Sequence, residues 1–222
     1  MSVIRVLHDA ANQRDQHDRR HHPAVDVIEG DLWVRHGQLL AYHDRPLGPL
    51  PFVVGSRGLL SRRPANPPDA EELIGLVESG ASLMLDLRSW FRDPAADAAR
   101  ALIGLSNRSR VTISCEDWPI ADRMRAWLPG IGVAYSIGSE HVLRRFIEGR
   151  RDGSLPQTSV SVRESLLRSA DDVDELRTLS GGLAVWTVDD VDRALELVEL
   201  GVDTLISNRL QVLNAVLAEL LP

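Results

Sequence analysis

The sequence predicts a (β/α)8 TIM barrel, and three observations predict it. Eight short apolar runs recur along the 222 residues, mostly without polar alternation, as strands buried on both faces require. Helical patterns with start and stop signals fill most of the gaps, the alternation that builds a parallel sheet. The residues able to do chemistry fall at the ends of the apolar runs, where barrels of this kind carry their sites.

The strands are expected at residues 3–7, 25–31, 82–88, 110–115, 131–136, 158–162, 183–187 and 204–207. Pro67-Pro68-Asp69 opens a helix over 70–79, and Gly80 stops it. Asp93-Pro94 opens a helix over 95–105, and Trp118-Pro119 one over 120–127 that Pro129-Gly130 ends. Ser139 caps 140–150, Asp171 caps 172–179, and Asp189 caps 190–200 before Gly201. The last helix, 210–221, carries Leu210, Leu213, Val216, Leu217 and Leu220 on one stripe. One crossover is different. Residues 12–23, NQRDQHDRRHHP, are almost devoid of apolar side chains and read as a polar loop or frayed turn. The Pro- and Gly-rich stretch 48–68, with Arg57, Arg62 and Arg63, reads as a loop over the barrel mouth.

The length suits one barrel domain over 1–222, and 44% hydrophobic residues allow a sizeable core. A formal net charge of -7 argues against a nucleic-acid protein held by a broad basic surface. It leaves room for a local basic pocket. Cys115 is the sole cysteine, so no internal disulfide forms. The N-terminus lacks the apolar run of a signal peptide, and no apolar segment reaches the about 18 residues that a membrane span needs. The expectation is a cytoplasmic chain.

The stretch VIEGDLWVRHGQLLAYHD, residues 27–44, places Glu29 and Asp31 on the same face of a strand and ends in His43-Asp44. Neighbouring carboxylates raise each other's pKa, so such a pair faces water or binds a cation. Asp86, inside the apolar run SLMLDL, needs a partner or a metal; an ion pair with Arg88 is the structural alternative. With His8 at the end of the first strand, the barrel rim gathers three carboxylates, two histidines, an arginine and Trp186. Hard cations such as Mg2+ or Ca2+ take oxygen ligands, so Glu29, Asp31 and Asp86 form a candidate site for one divalent ion. Arg88 is a candidate phosphate ligand, and His8 and His43 a candidate base and acid. Together these describe phosphodiester cleavage. His17, His21 and His22 read as exposed loop residues, and Cys115 as an inert core thiol. Trp33, Trp90, Trp118 and Trp127 read as packing residues.

Four stretches carry a resemblance: His8, IEGDLWVRHGQLLAYHD, LMLDLRS, and AVWTVDDVDRALELVELGVDTLISNRLQVL. Together they resemble the glycerophosphodiester phosphodiesterases and their sphingomyelinase D relatives, barrels of the PLC-like phosphodiesterase type. The resemblance implies that His8 and His43 are the acid–base pair. It implies that Glu29, Asp31 and Asp86 are the metal ligands, the third being Glu in most glycerophosphodiesterases and Asp in the sphingomyelinase D branch. Arg88 stands where the family usually has a phosphate-contacting Lys, and Trp186 matches an aromatic lining the substrate pocket. The substrate implied is a small phosphodiester or a lysophospholipid. The departures are specific. Asp9 and Ala10 follow His8 in place of Arg-Gly, Pro-Glu-Asn is absent, and HDAAN is one residue longer than the His-x-x-Asn start of the sphingomyelinase D group. These make a divergent member. They also keep a second reading in play, a binding or interaction barrel without turnover. A third, a lyase or isomerase stabilising an enolate on the metal, lacks an obvious Lys base.

Overall fold

Eight parallel strands close on themselves among the described residues of the computed structural model, 3–48, 50–55, 58–89 and 93–221. In chain order the strands are β1 (Ile4–Leu7), β2 (Val27–Arg35), β3 (Gln38–Ala41), β4 (Arg45–Pro46), β5 (Phe52–Val54), β6 (Leu60–Arg62), β7 (Leu83–Arg88), β8 (Val111–Cys115), β9 (Gly132–Ile137), β10 (Ser159–Arg163), β11 (Leu183–Trp186) and β12 (Thr204–Ser207). The helices are α1 (Ala70–Glu78), α2 (Ala95–Leu102), α3 (Trp118–Trp127), α4 (Glu140–Arg151), α5 (Ala170–Leu179), α6 (Val191–Glu199) and α7 (Leu210–Leu220). The barrel runs β1-β2-β7-β8-β9-β10-β11-β12, and β12 pairs back onto β1. This is the (β/α)8 barrel that the alternation of apolar runs and helices predicts.

The larger apolar core lies between the strands and the ring of helices, and includes Ile28, Leu32, Leu85, Ile113, Tyr135, Phe146, Val162 and Val185. Inside the barrel, Val6, Met84, Ala184 and Ile206 form a separate small cluster against which Trp186 packs. Above it the interior is lined by Ser114, Ser136 and Ser161. Their short side chains are why a cavity opens there instead of the packed layers usual in such barrels.

Several local expectations change. β2 runs on to Arg35 and pairs with β3 in a hairpin, turned at His36 (φ 49°) and Gly37 (φ 78°). That hairpin carries His43 back to the rim. The stretch 48–68 is more than loop: β4, β5 and β6 form a small antiparallel sheet. Its strands are two or three residues long and Leu60 is exposed, so the period-2 signal has too few residues to register. The 12–23 crossover forms short 3-10 turns with Arg14–His21 unburied, as its composition demands. Ser169, in a capping box with Asp172, caps α5 in place of Asp171, and Asp190 caps α6 in place of Asp189. Trp33 and Trp118 are buried, whereas Trp127 is 48% exposed and is not a packing residue. Arg57 and Trp90 lie outside the described residues. None of the described helices is long and apolar enough to cross a membrane.

Candidate active site

Strand register brings the acidic residues together. Asp31 on β2 sits directly opposite Asp86 on β7, and Glu29 opposite Met84. Because side chains alternate, Glu29, Asp31, Asp86 and Arg88 all project to the inner face at the C-terminal end of the barrel. All three carboxylates are buried, Asp31 completely. A solvated strand end is therefore not what these residues form.

Each carboxylate is held by neighbours. Asp31 Oδ2 accepts from Asn12 Nδ2 at 3.1 Å, and the Asp31 backbone N–H donates to Asn12 Oδ1 at 3.0 Å. Gly30 permits this approach, since a Cβ there would lie 2.8 Å from Asn12 Oδ1 and 2.9 Å from Ala11 Cβ. Asp86 Oδ1 accepts from the Ser114 hydroxyl at 2.9 Å. Glu29 Oε2 accepts the backbone N–H of Asp9 at 2.8 Å. Asp9 adopts φ 60°, a left-handed conformation that short Asp side chains tolerate by bonding locally; here its carboxylate accepts from Asn12 and, at 2.8 Å, from Gln13.

Arg88 completes the cluster. Its Nε and Nη2 donate to Asp31 Oδ1 at 2.8 and 2.7 Å, and Nη2 also lies 2.8 Å from Asp86 Oδ2. Its Nη1 is 4.0 Å from Glu116 Oε1. The ion-pair alternative for Asp86 thus describes the structure as it stands. Burial opposes the Arg88 charge, but Asp86 and Asp31 more than offset it and its pKa rises. The carboxylates are not fully compensated in return. Burial, aided by repulsion from Asp31, pushes Glu29 well above the usual carboxylate range. Burial pushes Asp86 up to about 6 despite Arg88.

Two histidines face each other above this cluster, their ring centroids 5.8 Å apart and nearly perpendicular. His8 Nδ1 is 2.9 Å from Asn208 Oδ1, and His8 Nε2 is 3.7 Å from Glu29 Oε2. Asn208 is oriented by Asp189, which accepts from Asn208 Nδ2 at 2.7 Å and from its backbone N–H at 2.9 Å. A carboxylate can only accept, so the Asn208 carbonyl oxygen must face His8, and neutral His8 carries its proton on Nδ1. Burial alone would raise the Asp189 pKa; the bonds from Asn208 and Ser207 outweigh it and hold the carboxyl low. His43 Nδ1 lies 3.3 Å from Asp44 Oδ1. Its backbone is fixed by the preceding residue, Tyr42, whose N–H donates to the Asp31 carbonyl and whose own carbonyl accepts from the Trp33 indole.

Two cavities meet here. One, of about 440 Å³, descends into the barrel past His8, Glu29, Asp86, Ser136 and Trp186. The other, of about 560 Å³, lies between the rim and the small β4-β5-β6 sheet, lined among others by Trp33, Asp44, Arg45 and Glu116. His43 and Arg88 line both. Trp186 lies near the Arg163 guanidinium, 5.7 Å from its ring centroid. Arg62 and Arg63 line neither cavity. Cys115 is buried with its thiol pushed up to about 12, chiefly by burial, so it is an inert core thiol. Sequence reasoning left Asn12 and Asp189 without a role in the site. The signals were present: HDAAN for the first, and a second aspartate beside the α6 cap for the second.

The fold is a (β/α)8 barrel of the kind seen in solved phosphodiesterases. The chain is similar in structure to a glycerophosphodiester phosphodiesterase from Parabacteroides distasonis (TM-score 0.73, 18% identity, covering 98% of this chain and 97% of that one). It is similar also to one from Thermotoga maritima (TM-score 0.68, 16% identity, 100% and 99%). A third is an Oleispira antarctica phosphodiesterase solved in complex with the product sn-glycerol-3-phosphate (TM-score 0.69, 14% identity, 96% and 96%). At these identities the likeness is one of fold. No family model matches the sequence, and no curated protein matches it.

The donor chemistry of the cluster fits a hard divalent cation. Three buried carboxylates face the Arg88 guanidinium, a formal excess of two negative charges when all are ionised; burial first, with repulsion from Asp31 added to it, raises the pKa values of Glu29 and Asp86. Among the described residues no three acidic, His or Cys side chains stand as a ready-made cage, and Arg88 lies between Asp31 and Asp86.

Proposed function

We propose that the protein is a metal-dependent phosphodiesterase of the glycerophosphodiester phosphodiesterase and sphingomyelinase D superfamily. Its substrate is a small phosphodiester, a glycerophosphodiester or a lysophospholipid- or sphingolipid-type molecule. The observation that carries the reading is the pair of facing histidines, 5.8 Å apart, over three buried carboxylates. The fold likeness to phosphodiesterases, one of them holding sn-glycerol-3-phosphate, supports the reaction class.

Glu29, Asp31 and Asp86 would hold Mg2+ or Ca2+. A cation held there would supply Lewis-acid polarisation of the phosphate. His8 is the base: with Nδ1–H given to Asn208, its Nε2 lone pair faces the cavity and takes the proton of the attacking oxygen. That oxygen belongs to water or to a neighbouring hydroxyl of the substrate. His43, its Nδ1 held 3.3 Å from Asp44 Oδ1, is the acid that gives a proton to the leaving alkoxide as the P–O bond breaks. Attack by water yields a phosphomonoester and an alcohol; attack by the internal hydroxyl yields a cyclic phosphate and an alcohol. Trp186 is the apolar wall for the retained part of the substrate.

Substitution Glu29→Ala or Asp86→Ala should abolish phosphodiester cleavage and metal-linked stabilisation together. An unchanged Glu29→Ala rate would sink the metal assignment. The second reading, a binding barrel without turnover, is favoured by one observation, the Arg88 guanidinium among the carboxylates. It predicts a protein that cuts no phosphodiester whether or not metal binds.

A further inference from the structure

Arg88 sits in an unusual place for a side chain expected to meet phosphate. One nitrogen, Nη2, lies 2.7 Å from Asp31 Oδ1 and 2.8 Å from Asp86 Oδ2. A calcium ion takes carboxylate oxygens at about 2.3–2.6 Å, so this nitrogen spans the pair of oxygens much as such an ion does. The far oxygens of both carboxylates are held by neutral donors, Asn12 on Asp31 Oδ2 and Ser114 on Asp86 Oδ1. Those donors keep the two carboxylates aimed at the same point whether or not the guanidinium is there. Arg88 also has somewhere to go. Its Nη1 is already 4.0 Å from the exposed Glu116, and its side chain lines both cavities.

Resting on the metal site proposed above, we propose that Arg88 is a resident counter-ion that a divalent cation displaces from Asp31 and Asp86. The guanidinium then turns toward the Glu116 side, onto the wall shared by the two cavities, where an incoming phosphate gives it a new bidentate partner. In the metal-free protein Arg88 offsets part of the charge of a buried acidic cluster. In the loaded protein it is a phosphate ligand. The same residue therefore weakens metal binding and links it to anion binding. A short cation in its place cannot do both, because a Lys ammonium is a point charge that lacks the two-pronged reach.

The test is calorimetric titration of metal-free wild type, Arg88→Met and Glu29→Gln with Ca2+ alone. The account expects Glu29→Gln to lose binding and Arg88→Met to bind about tenfold tighter or better, since a competing buried ion pair is removed. Equal or weaker binding by Arg88→Met, with Glu29→Gln still defective, overturns the displacement and leaves the metal site standing. No Ca2+ binding by either wild type or Arg88→Met, or binding indifferent to Glu29→Gln, overturns both. Should Arg88→Met not fold, the wild type answers by ¹⁵N NMR. The Arg88 Nε–H resonance, identified by its absence in Arg88→Lys, should be protected from exchange without metal and lose that protection as Ca2+ is added. A resonance unmoved at saturating Ca2+ overturns the displacement.

Discussion

Substituting Asp86 by Asn in metal-free protein should stabilise it at neutral pH, although it removes half of an ion pair. Asp86 has an ordinary pKa of 3.8 and is raised to about 6 in the fold, first by burial and only partly offset by Arg88. A folded-state pKa above the unfolded value means that the folded protein binds the proton more tightly. Its contribution is therefore fully present below about pH 4 and is lost as the pH rises through about 6. Two pH units at about 1.4 kcal/mol each give a loss near 3 kcal/mol by pH 8. Asn mimics the protonated acid and can still pair with Ser114. Urea unfolding in EDTA across pH 4–8 measures the effect. Wild type should lose up to about 3 kcal/mol more than Asp86→Asn over that range, and the variant should be the more stable at pH 8. With saturating Ca2+ the order should reverse, because the variant lacks a metal ligand. A variant less stable than wild type at pH 8 without metal would refute the reasoning. It would mean that Arg88 compensates Asp86 fully.

Three other outcomes follow from the same geometry. Gly30→Ala forces a methyl against Asn12 and Ala11 and should cost about 1–3 kcal/mol in thermal or urea unfolding. Asn208→Ala frees the His8 tautomer, so kcat/KM should drop about tenfold or more; an unchanged kcat/KM would remove Asn208 from the site's proton chemistry. Trp186→Ala should raise KM more than it lowers kcat, as loss of an apolar wall does, and steady-state kinetics on any accepted phosphodiester would separate the two.

Much of the barrel was legible because its strands are continuous apolar runs and its helices carry caps, both of them local signals. Glu29, Asp31 and Asp86 were legible as a cluster through strand alternation, and their register, Asp31 opposite Asp86, made the cluster real. What sequence could not supply was long-range. The β4-β5-β6 sheet has strands too short for a periodic pattern. Asp189 and Asp190 are chemically equivalent at a helix start, and only the position of Asn208 across the β11–β12 rim assigns the second to the cap and the first to the site. Arg88, two residues beyond Asp86, was read outward toward phosphate. Its length lets it fold back across β2 to Asp31, and two buried carboxylates decide that direction.

The measurement that tests the central claim most directly is ³¹P NMR of the protein with Mg2+ or Ca2+ and a panel of glycerophosphodiesters, lysophospholipids and sphingomyelin, run beside Glu29→Ala. The account predicts a new monoester or cyclic-phosphate resonance with wild type that is missing with the variant. A panel left intact by wild type while Ca2+ binding is demonstrated separately, or a product formed equally by Glu29→Ala, would contradict it.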